Sequence, residues 1–411
     1  MKTTIIKPWR GGDYMKKILA ISFLGGLILL VPTRFYSQKI ETKAGIRVVH
    51  NEKGGTWGAN PAVSLTLLRT LGDIDIDDSN LSFNQPSDVA MDAGGNVYVL
   101  DTMNQRIQKF GPDGKYLATI GRKGQGPGEF NYPSSLDISP TGSLYVLEGM
   151  QSKIMVLSSD GKELRTIRTL NNRVMRIRHL NSGMVAGGIY LGFGRGASEQ
   201  KNKNKPKLIK LFDLDGNTKL EFADAFDYGD EFSTSSGNIS VFDADKDDNL
   251  YLSFYNQNRV EKYSPKGELL WKADRPLNYS AEMLEKGTIE RSERGTSMQA
   301  PRFNTCSLGV AADEKGRAWV ITMNRQLTKE EQISTMSVAG GGGVRNVKTT
   351  GDRELQKTDA YKLEIFDSDG VLLGEIPIDH FVSAIRIFKD NLFLIDVERR
   401  AKIYHYKIVE K

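Results

Sequence analysis

Short apolar runs centred on an aromatic residue or Met recur along this chain, and each is followed by a second run that ends in an aromatic residue or Leu. The pairs are Tyr98/Phe110, Tyr145/Leu157, Met184/Phe212, Tyr251/Tyr263, Trp319/Phe366 and Phe393/Tyr406. A turn follows most second runs: Asp113-Gly114, Asp160-Gly161, Asp215-Gly216, Lys266-Gly267 and Asp369-Gly370. Glycine there supplies the positive φ of a tight hairpin, and Asp tolerates the adjoining turn geometry. Two units superpose without a gap. Pro86 to Ile120 matches Pro133 to Ile167 at an offset of 47, with 14 of 35 positions identical. A fixed period of this size marks a repeat architecture whose units bury their faces only against one another.

In the first unit strand A is predicted near Ser87 to Met91, B near Val97 to Leu100, C near Arg106 to Phe110 and D near Tyr116 to Ile120. Four short antiparallel strands repeated six times predict an all-β fold, a six-bladed β-propeller of four-stranded antiparallel blades. The sixth unit ends at Tyr406 to Lys411, after strand C. Ser64 to Gly72, before the first unit, contains LRTLG, which matches LATIG at Leu117 to Gly121. This N-terminal segment is therefore expected to be the missing outer strand of the last blade, closing the ring.

Asp101-Thr102-Met103-Asn104-Gln105-Arg106, followed by GRKGQGPGEFNYP at Gly121 to Pro133, resembles the NHL repeat: an Asp-x-x-Asn-x-Arg hairpin, then a glycine-rich connector ending in Phe and Pro. The second unit has Glu148, Gln151 and Lys153 at the polar positions, and the fourth keeps Arg259. Residues from about 64 to 411 resemble bacterial secreted six-bladed NHL-like propellers. That family is functionally diverse, so the resemblance implies a fold rather than an activity.

Charge sharpens the picture at the N-terminus. Met15-Lys16-Lys17 precedes the apolar run Ile18 to Val31, which has the length of a signal-peptide core and is short for a membrane span. Residues 1–37 are expected to be a signal peptide or N-terminal anchor, with Met15 a candidate true start, 38–60 a linker and 61–411 the propeller. The expected location is periplasmic or extracellular, with membrane attachment through an uncleaved leader as the alternative. Residues 1–37 hold six Lys/Arg and one acid, while the whole chain carries +5, so the remainder is neutral. A neutral domain lacks the basic stripe of a nucleic-acid binder, so no nucleic-acid partner is expected. A single cysteine, Cys306, excludes an internal disulfide framework. A monomer is expected.

B–C loops and the connectors between blades must share one face, opposite the A–B and C–D turns. The B-to-C marker spacing is 12 residues in the first, second and fourth units, 28 in the third and 47 in the fifth; Tyr263 to Trp319 is another long connector, of 56. All three enlargements fall on one face, where a rigid scaffold would present binding loops. Ser198 to Lys207 is expected to be a mobile tip, Tyr279 to Arg294 to include a short helix, and Gln326 to Thr358, with its four consecutive glycines, to hold no single conformation without a ligand.

GRKGQGPG at Gly121 to Gly128 lacks the Lys-Ser/Thr of a phosphate loop. Asp243 to Asn249 resembles a calcium loop, but Asp248 replaces the glycine and no bidentate Glu follows, so a plain A–B turn is favoured. Asp73, Asp75, Asp77 and Asp78 read as a solvated patch. The remaining candidates are polar groups near the channel: Asp101, Glu148 and Asp396 at B-strand ends, and Asp88, Asp137, Asn238, Arg176 and Arg386 on A strands. Asp101 with Asn104 and Arg106 also reads as a hairpin-stabilising set. Related propeller lactonases and lyases hold a divalent metal at the channel with Asp, Glu and Asn, so the resemblance admits a cation such as calcium, although the mixed charge suits a polar or anionic ligand better. Two functions stay open: an exported non-enzymatic binding or scaffold propeller for a protein, peptide or glycan, and a metal-dependent lactonase or lyase.

Overall fold

The computed structural model describes residues 38–411, apart from 74, 170–171, 193–204, 293–294 and 341–342. The leader and most of Ser198 to Lys207 therefore lie outside the described residues.

Among the described residues, six antiparallel blades follow one another. Blade 1 is Pro86–Met91, Val97–Asp101, Arg106–Phe110 and Tyr116–Ile120; blade 2 is Ser135–Ile138, Leu144–Glu148, Lys153–Leu157 and Glu163–Arg168. Blade 3 is Val174–His179, Val185–Ile189, Lys207–Phe212 and Thr218–Asp224; blade 4 is Ser240–Ala244, Leu250–Phe254, Val260–Tyr263 and Leu269–Asp274. Blade 5 is Ser307–Ala312, Ala318–Met323, Lys357–Phe366 and Leu372–His380; blade 6 is Ala384–Phe388, Asn391–Asp396, Lys402–Glu410 and, from the N-terminal side, Val63–Leu71. The A strands touch one another in cyclic order, so they surround the axis and the ring is closed. The N-terminal strand closes it: Val63–Leu71 pairs antiparallel with Lys402–Glu410, from Val63 opposite Glu410 to Leu71 opposite Ile403.

Burial follows from this packing. B strands are buried on both faces, as in Val97–Asp101 and Leu144–Glu148, because neighbouring blades sandwich them. Outer strands such as Tyr116–Ile120 are largely exposed. The core is a series of interblade layers: Tyr98, Leu100 and Ile107 of blade 1 pack with Leu136, Val146 and Met155 of blade 2. Buried Tyr and Trp also need a partner for their polar tips. The A–B turn provides it: Tyr98 donates to Asp92 at 3.1 Å, Tyr251 to Asp245 at 3.0 Å and Trp319 to Asp313 at 2.9 Å. Asp245 also accepts from the Asn249 backbone N–H, so Asp245 to Asn249 is a hairpin turn, while Asp243 lies on strand A.

The connectors explain the glycine–phenylalanine pattern. Gly72 and Gly121 have φ of +76° and +73°, and a Cβ on either would lie 2.3 Å from the ring of Phe83 or Phe130. Each Phe precedes a Pro by three residues, Pro86 and Pro133. Cys306 is buried.

Three segments differ from expectation. Within the stretch read as a linker, Lys39–Lys43 and Ile46–His50 form a hairpin whose second strand extends the outer edge of blade 4, parallel to Leu269–Asp274. The chain then runs along blade 5, where Trp57 N–H donates to Leu373 O at 2.6 Å. In the stretch from Tyr279 to Arg294, Thr288–Ser292 is a strand paired with Gly295–Gln299, and no helix occurs among its described residues. Alternation with β-branched residues outweighs the short helical pattern. In the fifth-blade loop, Ser334–Gly340 pairs antiparallel with Gly343–Thr350.

Candidate functional site: the A-strand ring and the loop-bearing face

Register places six residues at one level of the A strands: Ala90, Asp137, Arg178, Asp243, Ala311 and Arg386. Their B-strand partners are Tyr98, Tyr145, Ala186, Tyr251, Trp319 and Phe393. Five of those partners are first markers of the sequence repeat, which identifies the level as equivalent in those five blades, and in blade 3 the partner Ala186 lies two residues beyond Met184. Two residues nearer the strand starts, a second level holds Asp88, Ser135, Arg176, Val241, Gly309 and Ala384. Side chains two apart on a strand share a side. The two levels therefore bring together three carboxylates and three guanidiniums.

Their bonding is specific. Asp88 Oδ2 accepts from Ser135 Oγ at 2.9 Å and from the Leu136 N–H at 3.1 Å. Asp137 Oδ2 accepts from the His179 N–H at 2.7 Å, and its Oδ1 from Arg386 Nη2 at 2.9 Å. Asp243 Oδ2 accepts from the Ala312 N–H at 3.1 Å, and its Oδ1 from Arg178 Nε at 2.6 Å. Each carboxylate thus staples its A strand to the A strand of the following blade. The arginines supply the balancing charge, and Arg178 also reaches Asp88 at 3.5 Å. Burial pushes Asp137 up to about 6, against the pull of Arg178 and the His179 N–H. Burial also raises Asp243. For Arg178, burial opposes the charge, but Asp88 and Asp243 outweigh it and the guanidinium is held more firmly protonated than usual. Arg176 differs: it is partly exposed, and burial pushes its pKa down.

This donor set does not fit a divalent cation. The carboxylate oxygens of Asp137 and Asp243 already face backbone N–H groups and guanidiniums, and a cation would have to displace both. Among the described residues no group of three or more His, Cys, Asp and Glu is placed to hold a metal ion. Asp73 and Asp75, read as solvated, instead pair with Arg400, and Asp73 also with Lys402.

The other candidates stand apart from the ring. Asp101 accepts from the Asn84 N–H at 2.7 Å and from Asn104 Nδ2 and Arg106 Nε at 2.8 Å each, so it ties its hairpin to the connector from blade 6. Glu148 accepts from the Asn131 N–H at 2.8 Å and pairs with Lys153. Asp396 accepts from the Arg399 and Arg400 N–H groups at 3.0 Å. These B-strand ends face the connectors and form no common carboxylate ring. Asn238 ends the helix Glu231–Gly237 and donates to Phe226 O and Thr234 O. Arg178 and Asp243 belong to the site but were not singled out from sequence. The Arg-x-Arg alternation at 176 and 178 was the available signal for Arg178. Asp243 was hidden by being read as part of a turn.

Strand order puts the third- and fifth-blade insertions and the hairpin at Thr288–Gln299 on one face. Two grooves open among its loops. One, of about 490 Å³, is lined by Phe226, Tyr228, Asn258, Arg259, Lys272 and Met283. Phe226, Tyr228 and Phe303 form an edge-on aromatic chain there, and Phe226 is 53% exposed. The other, of about 260 Å³, is lined by residues including Leu327, Tyr361, Phe381, Asp396 and Arg399.

Comparison with known proteins agrees on the architecture. The family model DUF5128, described as a 6-bladed beta-propeller, matches residues 77–264. No curated protein matches the chain. Among solved structures, the chain is similar to a protein of Bacteroides fragilis NCTC 9343 described as exported, at 11% identity over 89% of this chain and 99% of that one, with a TM-score of 0.51. It is also similar to a member of the duf4221 family from Bacteroides vulgatus, at 11% identity over 85% and 99%, with a TM-score of 0.50. Virginiamycin B lyase from Staphylococcus aureus matches at 13% identity over 84% and 100%, with a TM-score of 0.44. At these identities the likeness concerns the fold alone.

Proposed function

We propose that this six-bladed propeller is an exported binding or scaffold protein that recognises a protein, peptide or glycan through its loop-bearing face. The observation that carries this reading is the coincidence, on that face, of the enlarged loops and an aromatic groove around Phe226 and Tyr228. The A-strand carboxylates are committed to interblade staples, which weighs against a metal-dependent lactonase or lyase. The Asp101–Asn104–Arg106 hydrogen bonds support reading the first blade as an NHL-type repeat. The basic, apolar leader supports export, and the neutral remainder supports a partner other than nucleic acid.

Photo-crosslinking in the native host tests the face. A benzoylphenylalanine at position 226 should yield adducts, and one at Lys246, an exposed position on an A–B turn, should not. Adducts confined to position 246 would place recognition on the opposite face.

A further inference from the structure

The exposed ring of Phe226 is held in place by a buried polar network. Asn238 Oδ1 accepts from the Phe226 N–H at 2.8 Å, and Asn238 Nδ2 donates to Phe226 O at 2.7 Å. Asn238 is 2% exposed and accepts in turn from Gln257 Nε2 at 3.1 Å; Gln257 Nε2 also donates to Gly237 O at 2.7 Å. Tyr228 is fixed beside it. Its N–H donates to Thr234 Oγ1 at 3.1 Å, and a Cβ on Gly237 would lie 2.3 Å from its ring. The Phe226 and Tyr228 ring centroids are 4.8 Å apart. An exposed ring adds little burial, so a buried network that fixes it preorganises a contact surface.

Arg259 and Lys272 line the same groove. Both share one carboxylate. Glu261, 1% exposed, accepts from Arg259 Nη1 at 3.1 Å and from the Tyr263 hydroxyl at 2.8 Å, and lies 3.4 Å from Lys272 Nζ. Arg259 stacks on Phe254, its guanidinium carbon 3.9 Å from the ring centre, and its Nε and Nη2 are buried with no partner among the described residues. Two cations against one buried carboxylate leave positive charge unmet, and an anion in the groove would meet it. The Lys272 side chain is 39% exposed, so it is the cation open to direct contact. Glu282 also lines the groove, but it is exposed, where water and salt screen its charge. The amides of the wall are committed. Asn258 Nδ2 donates to Arg275 O at 2.8 Å, and Asn258 Oδ1 accepts from the Arg275 N–H at 3.0 Å.

A ligand therefore meets one fixed aromatic face, one open cation and one carboxylate. The negative π face attracts polarised C–H groups, such as those on the flat side of a pyranose ring. Lys272 suits a carboxylate, and Glu282 accepts from hydroxyls. An inorganic anion would leave the aromatic face unused, and a peptide main chain would find the amides of the wall already bonded. The groove, at about 490 Å³, lies within the range of about 300–1,000 Å³ usual for small-molecule sites. We propose that this groove binds a glycan through a uronic acid residue, with the sugar ring on Phe226 and the sugar carboxylate on Lys272. The assignment rests on the binding reading above and gives its ligand a chemical class. Crosslinks at position 226 do not depend on that class: adducts to a polypeptide alone would overturn the sugar and leave the loop-bearing face as the site of recognition.

The test uses the full chain and isothermal titration calorimetry with tetrasaccharides of polygalacturonate, alginate and hyaluronan, each beside its carboxyl-reduced neutral counterpart. At least one acidic tetrasaccharide should bind, and its neutral counterpart should bind about tenfold more weakly or worse. Lys272→Gln should weaken binding about tenfold, Phe226→Ala about tenfold and Glu282→Gln about threefold. Lys246→Gln, on the opposite face, should leave it unchanged. If Lys272→Gln does not fold, Phe226→Ala and Glu282→Gln, both at exposed positions, decide together with the neutral sugars. The proposal is overturned if no acidic tetrasaccharide binds, if the neutral ones bind equally, or if the groove variants bind as the parent does. Displacement of the sugar by an equal concentration of inorganic phosphate also overturns it, because the groove would then be a simple anion site. Hexaglutamate is the acidic polypeptide control: if it binds in place of the sugars, with the same dependence on Phe226 and Lys272, the glycan assignment is overturned.

Discussion

Asp137 and Arg386 stand 249 positions apart in the chain, yet Arg386 Nη2 donates to Asp137 Oδ1 at 2.9 Å. Blade 1 lies between their blades in the ring, and its residue at that level is Ala90, whose small side chain leaves room for the contact.

Burial of this carboxyl predicts a pH signature. A group raised from 3.8 to about 6 favours the folded state fully only below pH 3.8, and loses that contribution as pH rises through 6. The melting temperature of the parent relative to Asp137→Asn should therefore fall between pH 4 and 7. Calorimetry across that range checks it; parallel profiles would show that Asp137 does not titrate there.

The Arg178 staple should be costly to break from one side. Arg178→Met leaves Asp243 and Asp88 short of positive charge and should destabilise by about 3–5 kcal/mol. Adding Asp243→Asn should recover part of this loss. Denaturant unfolding of both single variants and the double variant measures the coupling, and strict additivity would deny it.

Closure by the N-terminal strand gives a paired prediction. Leu71 is 4% exposed and Leu68 is 44% exposed on the same strand. Leu71→Ala should cost about 2–5 kcal/mol, and Leu68→Ala within about 0.5 kcal/mol. Equal effects would mean that this strand is not packed into the ring.

His50 clamps the N-terminal hairpin to blade 4: Nδ1 meets Asp274 at 2.5 Å and Nε2 meets Glu41 at 2.8 Å. The Glu41 and Asp274 hydrogen bonds raise His50, so its contribution is full below pH 6.5 and is lost as pH rises through the folded value. The His50 and Lys43 contacts hold Glu41 down at about 2, so its contribution is present above pH 4.5 and lost as pH falls towards 2. Hydrogen exchange at Ile46 to His50, corrected for intrinsic rate, should be slowest between pH 4.5 and 6.5. His50→Ala should remove the optimum.

Much of the architecture was legible in one dimension. Apart from Met184, the first residue of each marker pair sits on strand B, where neighbouring blades sandwich it, and the second sits on strand C, so their apolar character recurs with the repeat. LRTLG before the first unit and LATIG within it both end a strand at a glycine that lies under a Phe ring. That shared local geometry made the closing strand readable. Asp88, Asp137, Arg176 and Arg386 were recognisable as polar residues on the innermost strands. Asp101 was recognisable as a hairpin residue because its partners, Asn104 and Arg106, lie within five positions of it.

What sequence alone determined, then, was whatever rests on local contacts: the strands, their turns, their number and the end-to-end match that closes the ring. Only the tertiary structure decided which charges meet. The partners of Asp137 and Asp243 come from other blades, and closure brings Arg386 beside a residue from the opposite half of the chain. Nothing within a blade specifies those pairs, because an interblade electrostatic partner is set by distance in the assembled ring rather than by separation along the backbone.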